Sequence, residues 1–258
     1  MDIRSLRCGP YEFWQELLSA QEPPSRIWRD YYAAPLRDGR RIILPLRDYG
    51  TKAFAGFIAN QASFTVVDTL AQWIAEDVAS LKPDVVVGLP TLGHVVGAAV
   101  ARALGHANWV APGTTRKLWY DEALSVPTHS VTSPAAGRSM WLDPRLLERL
   151  SGRRVLLVDD VVTTGSSARA GLALLARAGV VPVAFAVAMT QGEEWRSHWD
   201  PAIPVFAAFA TPQFQRESDG WAPQTAALPG PGAPAASTAA SGAGSAAASG
   251  ADTGASGP

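Results

Sequence analysis

Two adjacent carboxylates, Asp159 and Asp160, precede a short turn that is rich in hydroxyl groups. The turn contains hydroxyl donors and one glycine: Thr163, Thr164, Gly165, Ser166 and Ser167. Gly165 lets the backbone approach a ligand closely, and free N–H groups at the start of a following helix attract an anion. The acids would repel that anion, so they suit the hydroxyl groups of a sugar, or a Mg²⁺ ion that bridges sugar and phosphate. A ribose 5-phosphate satisfies both halves of this pattern.

The flanking residues predict the elements that position these side chains. Val155–Val158 is an aliphatic run typical of a strand buried on both faces of a parallel sheet, and Ala168–Ala178 has the leucine and alanine pattern of a helix. An earlier unit repeats this order with strand Asp84–Leu89, glycine-bearing turn 90–93 and helix His94–Leu104. Ligands of open α/β sheets bind at the carboxyl ends of the strands, where both turns lie. We therefore predict an α/β fold with a doubly wound, mainly parallel sheet flanked by helices.

The segment from Val155 to Ser167 resembles the signature with which type I phosphoribosyltransferases bind 5-phosphoribosyl-1-pyrophosphate (PRPP). The resemblance implies that Asp159 and Asp160 bind the ribose hydroxyls and, directly or through PRPP and water, Mg²⁺. It assigns the 5-phosphate to the later turn: Val162, Thr163, Thr164, Gly165, Ser166 and Ser167. It assigns the pyrophosphate, through backbone N–H groups, to the earlier turn: Leu89, Pro90, Thr91, Leu92 and Gly93. The alternative is a strand-turn-helix whose acids only cap and solvate the turn.

The segment Gly113–Ser125, between the two turns, mixes charged and aromatic residues without helical or alternating periodicity, which predicts a mobile functional loop. The resemblance identifies it as the flexible catalytic loop, flanked by strands Val126–Thr132 and Ser139–Leu142. Breaking the bond from sugar to pyrophosphate builds oxocarbenium character, so the site must close against water. The catalytic candidates are two cations that would neutralise pyrophosphate and two acids that would accept a proton: Arg116, Lys117, Asp121 and Glu122. The alternative is a solvated loop with ordinary ion pairs.

The resemblance implies a pentosyltransferase that moves the 5-phosphoribosyl group from Mg-PRPP to a nucleobase, with a purine favoured, and that acts in nucleotide salvage as a homodimer. Thr163 stands where enzymes for 6-oxopurines typically carry an aspartate, so an adenine phosphoribosyltransferase-like protein is favoured. Two alternatives share the motif: a PRPP-sensing regulator without turnover, and a competence-associated member of the family. The latter group usually carries cysteine pairs near the start, whereas Cys8 stands alone.

Composition limits the remaining function classes. The chain has 258 residues, of which 47% are hydrophobic and 17% are charged, as expected for one globular domain with extensions. The formal net charge of −1 predicts neither a nucleic-acid nor a membrane partner. A single cysteine, the absence of a recognisable signal sequence and the lack of a long apolar run favour a cytoplasmic location.

We expect three regions. Residues 1–60 would form an N-terminal extension, with a helix at Tyr11–Ala20 and a strand at Arg41–Leu46. The resemblance makes this extension a candidate for the hood that covers the acceptor base in relatives. Residues 61–221 would form the phosphoribosyltransferase-like core. Residues 222–258 are rich in Ala, Gly, Ser and Pro and are predicted to be a disordered tail.

Four further predictions concern the core. Amphipathic spacing over 61–82 predicts a long helix, and an apolar run predicts a strand at Val180–Ala188. Glu193–Trp199 is expected to form a short helix. Its two tryptophans, Trp195 and Trp199, are assigned to packing in preference to a base pocket.

Overall fold

The computed structural model describes residues 12–19, 26–128 and 139–224. The tail predicted to begin at residue 222 begins later, because Ala222 and Pro223 belong to a strand that pairs with residues 214–215. The rest of that predicted tail, from 225 onward, lies outside the described residues, as does the end of the predicted strand Val126–Thr132. In the described ranges, no helix is long and apolar enough to cross a membrane.

Twelve strands and four α-helices make up the described chain. The strands are β1 (Leu17–Ser19), β2 (Tyr31–Pro35), β3 (Arg40–Asp48), β4 (Lys52–Ala55), β5 (Val85–Gly88), β6 (Ser125–Pro127), β7 (Ser139–Trp141), β8 (Val155–Val162), β9 (Ala184–Gln191), β10 (Val205–Thr211), β11 (Gln213–Glu217) and β12 (Gly220–Pro223). The helices are α1 (Phe64–Val78), α2 (Gly93–Ala103), α3 (Leu147–Leu150) and α4 (Ser166–Arg177).

A four-stranded parallel sheet in the order β10-β9-β8-β5 forms the centre of the fold. Its strands are aliphatic on both faces because helices cover both. Leu156 and Val158 of β8 belong to the core that contains α1 and α2, whereas Val155 and Leu157 belong to the core that contains α4. This arrangement confirms the predicted doubly wound sheet and places the carboxyl ends of β5 and β8 side by side.

A second, antiparallel sheet combines segments from both ends of the described chain, and we call it the terminal sheet: β1, β2, β3, β4, β11 and β12. Trp28, just before β2, exchanges two backbone hydrogen bonds with Trp221 of β12, at 2.9 and 2.6 Å. The segment that leads into β2 therefore meets β12, the last strand of the chain that the structure describes. Phe214 of β11 and Tyr32 of β2 pack inside it with their ring centroids 5.0 Å apart. The strand predicted at Arg41–Leu46 lies within β3.

The structure corrects two predicted elements. The segment predicted as the helix Tyr11–Ala20 contains strand β1, because Leu17 pairs with Ile42 of β3 and so follows the terminal sheet. The strand predicted at Val180–Ala188 begins only at Ala184, since Pro182 has no N–H for a ladder and Val181 is exposed.

Other predictions hold within the described residues. The long helix predicted over 61–82 is present as α1, whose first turn is capped by the Ser63 hydroxyl. Residues 194–198 form one short 3₁₀ helix. Trp195 is 2% exposed, and Trp199 packs on Phe185 at 5.0 Å, so both tryptophans serve the core.

Candidate active site

The acidic pair lies inside β8 rather than at its end, since the strand continues to Val162. Asp159 is 5% exposed, and its Oδ1 accepts a hydrogen bond from the backbone N–H of Asp160 at 2.9 Å. Burial raises the pKa of Asp159, the charge of Asp160 raises it further, and burial also raises the pKa of Asp160. Among the described residues, neither carboxylate forms a salt bridge. The pair therefore suits a ligand that brings hydroxyl groups or a cation into the site.

The turn after β5 offers fewer donors than its sequence implies. Leu89 is fully buried against α4, where a Cβ added to Gly171 would lie 2.7 Å from Leu89 Cδ2. The Leu89 N–H already donates to the Val158 carbonyl oxygen at 2.8 Å. Pro90 has no N–H, and its peptide bond to Thr91 is cis. Leu89 and Pro90 therefore shape the turn instead of donating to an anion. Within the described chain, three backbone N–H groups of this turn make no hydrogen bond: Thr91, Leu92 and Gly93.

Glycine at the start of α2 brings this turn against the acidic pair. A Cβ on Gly93 would lie 2.5 Å from Asp159 Oδ1 and 2.9 Å from its Cα, and a Cβ on Gly97 would lie 2.9 Å from the Cα of Gly88. Only glycine permits these approaches, so α2 can begin directly beside β5 and β8. The structure thereby places the predicted pyrophosphate turn next to the predicted ribose-binding acids.

The turn after β8 carries several backbone N–H donors. Gly165 adopts φ +75° at the N-cap of α4, a conformation that favours glycine. In the described structure, four N–H groups at this point have no partner: Thr164, Gly165, Ser167 and Ala168. Arg169 donates from Nη1 to the Thr164 carbonyl at 3.0 Å and so fixes the turn from behind. Val162 is 2% exposed, so only its backbone is available to a ligand.

Gln191, at the carboxyl end of β9, is a site residue that the sequence analysis did not identify. Its side chain is 5% exposed and joins the turn after β8 to the terminal sheet. Gln191 Nε2 donates to the Ala55 carbonyl at 2.6 Å, and Thr163 donates from Oγ1 to Gln191 Oε1 at 3.0 Å. The available signal was a polar residue that ends an apolar strand at the ligand-binding edge of a parallel sheet.

The four catalytic candidates of the loop are exposed on the surface. Arg116 Nη1 pairs with Glu122 Oε1 at 2.9 Å, and the Arg116 guanidinium lies 5.4 Å from the centroid of the Trp141 ring. Asp121 caps the short 3₁₀ helix that begins at Glu122, and Lys117 is exposed. As far as the structure describes the chain, none of the four forms a hydrogen bond or ion pair with the acidic pair or with either turn.

The loop is attached firmly at its base. Gly113 and Trp141 exchange two backbone hydrogen bonds of 2.8 Å, and strands β6 and β7 pair as predicted. Val126 and Met140 bury their side chains in the core that contains α4. His94, the first residue of the predicted helix His94–Leu104, has Nε2 2.9 Å from the Pro112 carbonyl oxygen, and burial lowers its pKa. The neutral imidazole thus ties α2 to the segment that enters the loop.

The residues present fit a magnesium ion bound jointly with a ligand. Mg²⁺ prefers carboxylate and phosphate oxygens and usually uses one or two protein carboxylates together with substrate phosphates and water. Asp159 and Asp160 provide such oxygens, and no cationic side chain in the described part of the chain pairs with them. In the described ranges, no three His, Cys, Asp or Glu side chains are grouped so that they could hold a metal ion alone. The metal would therefore need oxygens from the ligand.

Comparison with known proteins defines the class. Residues 57–212 match the model of the phosphoribosyl transferase domain family, and this match spans more than half of the chain. The protein belongs to this family, as its resemblance to type I phosphoribosyltransferases predicted. The matched segment contains the parallel sheet, both turns and the loop between them.

Individual relatives agree with the family. The chain is 33% identical over 132 residues to the adenine phosphoribosyltransferase of Xanthomonas axonopodis pv. citri (strain 306), a match that covers 49% of this chain and 65% of that one. It is 29% identical over 140 residues to the orotate phosphoribosyltransferase of Dichelobacter nodosus (strain VCS1703A), covering 54% and 57%. The chain thus spans less than two thirds of the length of either relative. The adenine phosphoribosyltransferase of Saccharomyces cerevisiae matches in structure with a TM-score of 0.49 and 21% identity, over 69% of this chain and 94% of that one.

Proposed function

We propose that this protein transfers the 5-phosphoribosyl group of Mg-PRPP to a nitrogenous base and releases pyrophosphate. The observation that supports this most directly is the adjacency of three features at one edge of the parallel sheet. These are the acidic pair, which forms no salt bridge within the described residues, and the two turns, which both carry N–H groups without a partner there. They match, respectively, the hydroxyls, the pyrophosphate and the 5-phosphate of PRPP.

The acidic pair would bind the ribose. Asp159 and Asp160 would each accept a hydrogen bond from a ribose hydroxyl, which a carboxylate does better than a neutral carboxyl. Burial raises the pKa of both acids and so disfavours their charged forms. Hydrogen bonds from the ribose hydroxyls would act in the opposite direction, because they stabilise a carboxylate and lower its pKa. Mg²⁺, when bound, would neutralise part of the charge shared by these carboxylates and the pyrophosphate.

The two turns would bind the anionic ends of the donor. At the later turn, the 5-phosphate would accept hydrogen bonds from the N–H groups at the start of α4, a helix of 12 residues whose dipole favours an anion there. The Thr164, Ser166 and Ser167 hydroxyls could add donors. At the earlier turn, the N–H groups of Thr91, Leu92 and Gly93 would meet the pyrophosphate.

The loop would close over the reacting bond. The C1–O bond to pyrophosphate breaks with its electrons leaving on oxygen, and a ring nitrogen of the base uses its lone pair to form the new C1–N bond. Closure would keep water from the oxocarbenium-like sugar. In the structure Arg116 pairs with Glu122, and an exposed pair of this kind is weak. Its separation would free Arg116, together with Lys117, for the pyrophosphate, and would free Glu122 or Asp121 to accept the proton of the base.

An activity assay with several bases can identify the acceptor. The relatives are named for adenine and for orotate, and Thr163 is not the acid expected for a 6-oxopurine enzyme. We therefore expect adenine to be the preferred base. The test incubates the full chain with PRPP, Mg²⁺ and adenine, hypoxanthine, guanine or orotate, and follows pyrophosphate release. Tight PRPP binding without turnover on any base would contradict the proposal and favour a sensor.

A further inference from the structure

The hydrogen bonds of Gln191 determine which way its amide faces. Nε2 lies 2.6 Å from the Ala55 carbonyl oxygen, and that oxygen can only accept a hydrogen bond. The amide nitrogen must therefore face Ala55, and the amide oxygen faces Thr163. Because Gln191 is 5% exposed, solvent competes little for these positions.

This orientation determines the role of the Thr163 hydroxyl. Gln191 Oε1 can only accept, so Thr163 Oγ1, 3.0 Å away, must give it the single hydroxyl hydrogen. The lone pairs of Oγ1 remain available to a ligand. A phosphate oxygen also presents lone pairs, so it would be repelled by this side chain rather than bound by it. Thr163 thus differs from Thr164, whose hydroxyl lies 3.3 Å from Ser166 Oγ within the turn.

We propose that the Thr163 side chain is a hydrogen-bond acceptor for an N–H or O–H group of the ligand and does not bind the 5-phosphate. The inference rests on the proposed function, since it takes the ligand to be a phosphoribosyl compound with its base. A sugar hydroxyl and a base nitrogen share the required chemistry. Gln191 is then a positioning residue, which fixes the hydroxyl through the terminal sheet.

The experiment measures binding to the full chain by calorimetry with three probes: inorganic phosphate, ribose 5-phosphate and adenine. Thr163→Val should leave the affinity for inorganic phosphate within about twofold and weaken ribose 5-phosphate or adenine about tenfold, the effect of one hydrogen bond. Weakening of ribose 5-phosphate assigns the contact to a sugar hydroxyl, and weakening of adenine assigns it to the base. Thr163→Ser retains the hydroxyl and should restore binding. Ser166→Ala is the comparison for a hydroxyl that faces the phosphate.

Two results would overturn the inference. One is a loss of inorganic phosphate binding in Thr163→Val as large as the loss in Ser166→Ala; the other is unchanged binding of all three probes. If the unsubstituted protein bound none of the probes, the proposed function would fail instead. Thermal unfolding checks that Thr163→Val is folded. If Thr163→Val does not fold, Thr163→Ala is measured instead, because it leaves space for a water that can donate to Gln191.

Discussion

Gly93 approaches Asp159 so closely that a methyl group on Gly93 would lie 2.5 Å from Asp159 Oδ1. Gly93→Ala should therefore displace either the start of α2 or strand β8, because the neighbouring Asp159 Cα lies 2.9 Å from the same position. We expect a loss of about 1–3 kcal/mol in the free energy of unfolding. Ribose 5-phosphate binding should weaken at least tenfold, as measured by calorimetry.

Gly113→Ala is the matched control for this substitution. Apart from the two chain neighbours of Gly113, the nearest described atom to the added Cβ is the Tyr120 hydroxyl oxygen at 3.8 Å, which is ordinary van der Waals contact. Its stability and its affinity for ribose 5-phosphate should stay near those of the unsubstituted protein. Equal losses in both variants would show that the approach of Gly93 to Asp159 has no special role.

Burial of Asp159 should lower the free energy of unfolding at neutral pH relative to acidic pH. The native pKa of Asp159 is raised above its ordinary value of 3.8, so the cost of burying its charge is present at neutral pH and disappears as the pH falls toward that value. Asp159→Asn removes this cost and should raise the melting temperature at pH 7. Each tenfold change in the ionisation constant is equivalent to about 1.4 kcal/mol, or a few degrees.

Melting temperatures measured from pH 4 to pH 8 check this expectation. The advantage of Asp159→Asn should grow as the pH rises above about 4, while ribose 5-phosphate binding is lost. The exposed Asp84, whose Oδ2 accepts the Arg154 N–H at 2.8 Å, provides the control Asp84→Asn. An advantage that did not vary with pH would show that charge burial is not its cause.

Replacing both loop cations should separate catalysis from donor binding. Within the described residues Arg116 and Lys117 form no hydrogen bond or ion pair with either turn, so the double variant Arg116→Ala, Lys117→Ala should bind PRPP nearly as well as the unsubstituted protein. Loss of stabilisation for the departing pyrophosphate should lower kcat by about 100-fold or more. Single-turnover and steady-state assays of pyrophosphate release measure this, once the acceptor base is known.

The control for the loop is Arg149→Ala, which removes an exposed cation from α3 and should leave kcat unchanged. Removal of the exposed Arg116–Glu122 pair should change the free energy of unfolding by less than about 1 kcal/mol. A large rise in the Kd for PRPP with unchanged kcat would contradict the proposed role of the two cations.

The stability of the terminal sheet should depend on the packing of its C-terminal strands, β11 and β12. Phe214 of β11 is fully buried and packs against Tyr32, so Phe214→Ala should cost about 3–5 kcal/mol in the free energy of unfolding. Urea denaturation measures the loss. Glu217→Ala, at the exposed end of the same strand, should have little effect. Similar midpoints for the two variants would mean that β11 is not part of the cooperative core.

The parallel sheet could be predicted from sequence because its signals are local. The aliphatic runs at 85–88 and 155–158 and the glycine-bearing turns after them each lie within about fifteen residues. Their periodicity is sufficient to identify a buried strand and the helix that follows. The site elements at these turns follow from the same short segments.

The remaining features depend on contacts between distant segments. Gln191 reaches Ala55 across 136 residues, and no local pattern identifies that partner. The strand β1 was predicted as a helix because its apolar spacing fits both structures, and only pairing with β3 decides between them. The Leu89 N–H is likewise unavailable because of Val158, which lies far along the chain.

The backbone pairing of Trp28 with Trp221 has a consequence for folding during synthesis. The terminal sheet cannot finish its hydrogen bonding until residues 213–224 have left the ribosome, whereas β5, β8 and β9 of the parallel sheet can pair once residue 191 is available. During that interval the apolar side of the nascent core is uncovered, and it is then most open to chaperones and to self-association.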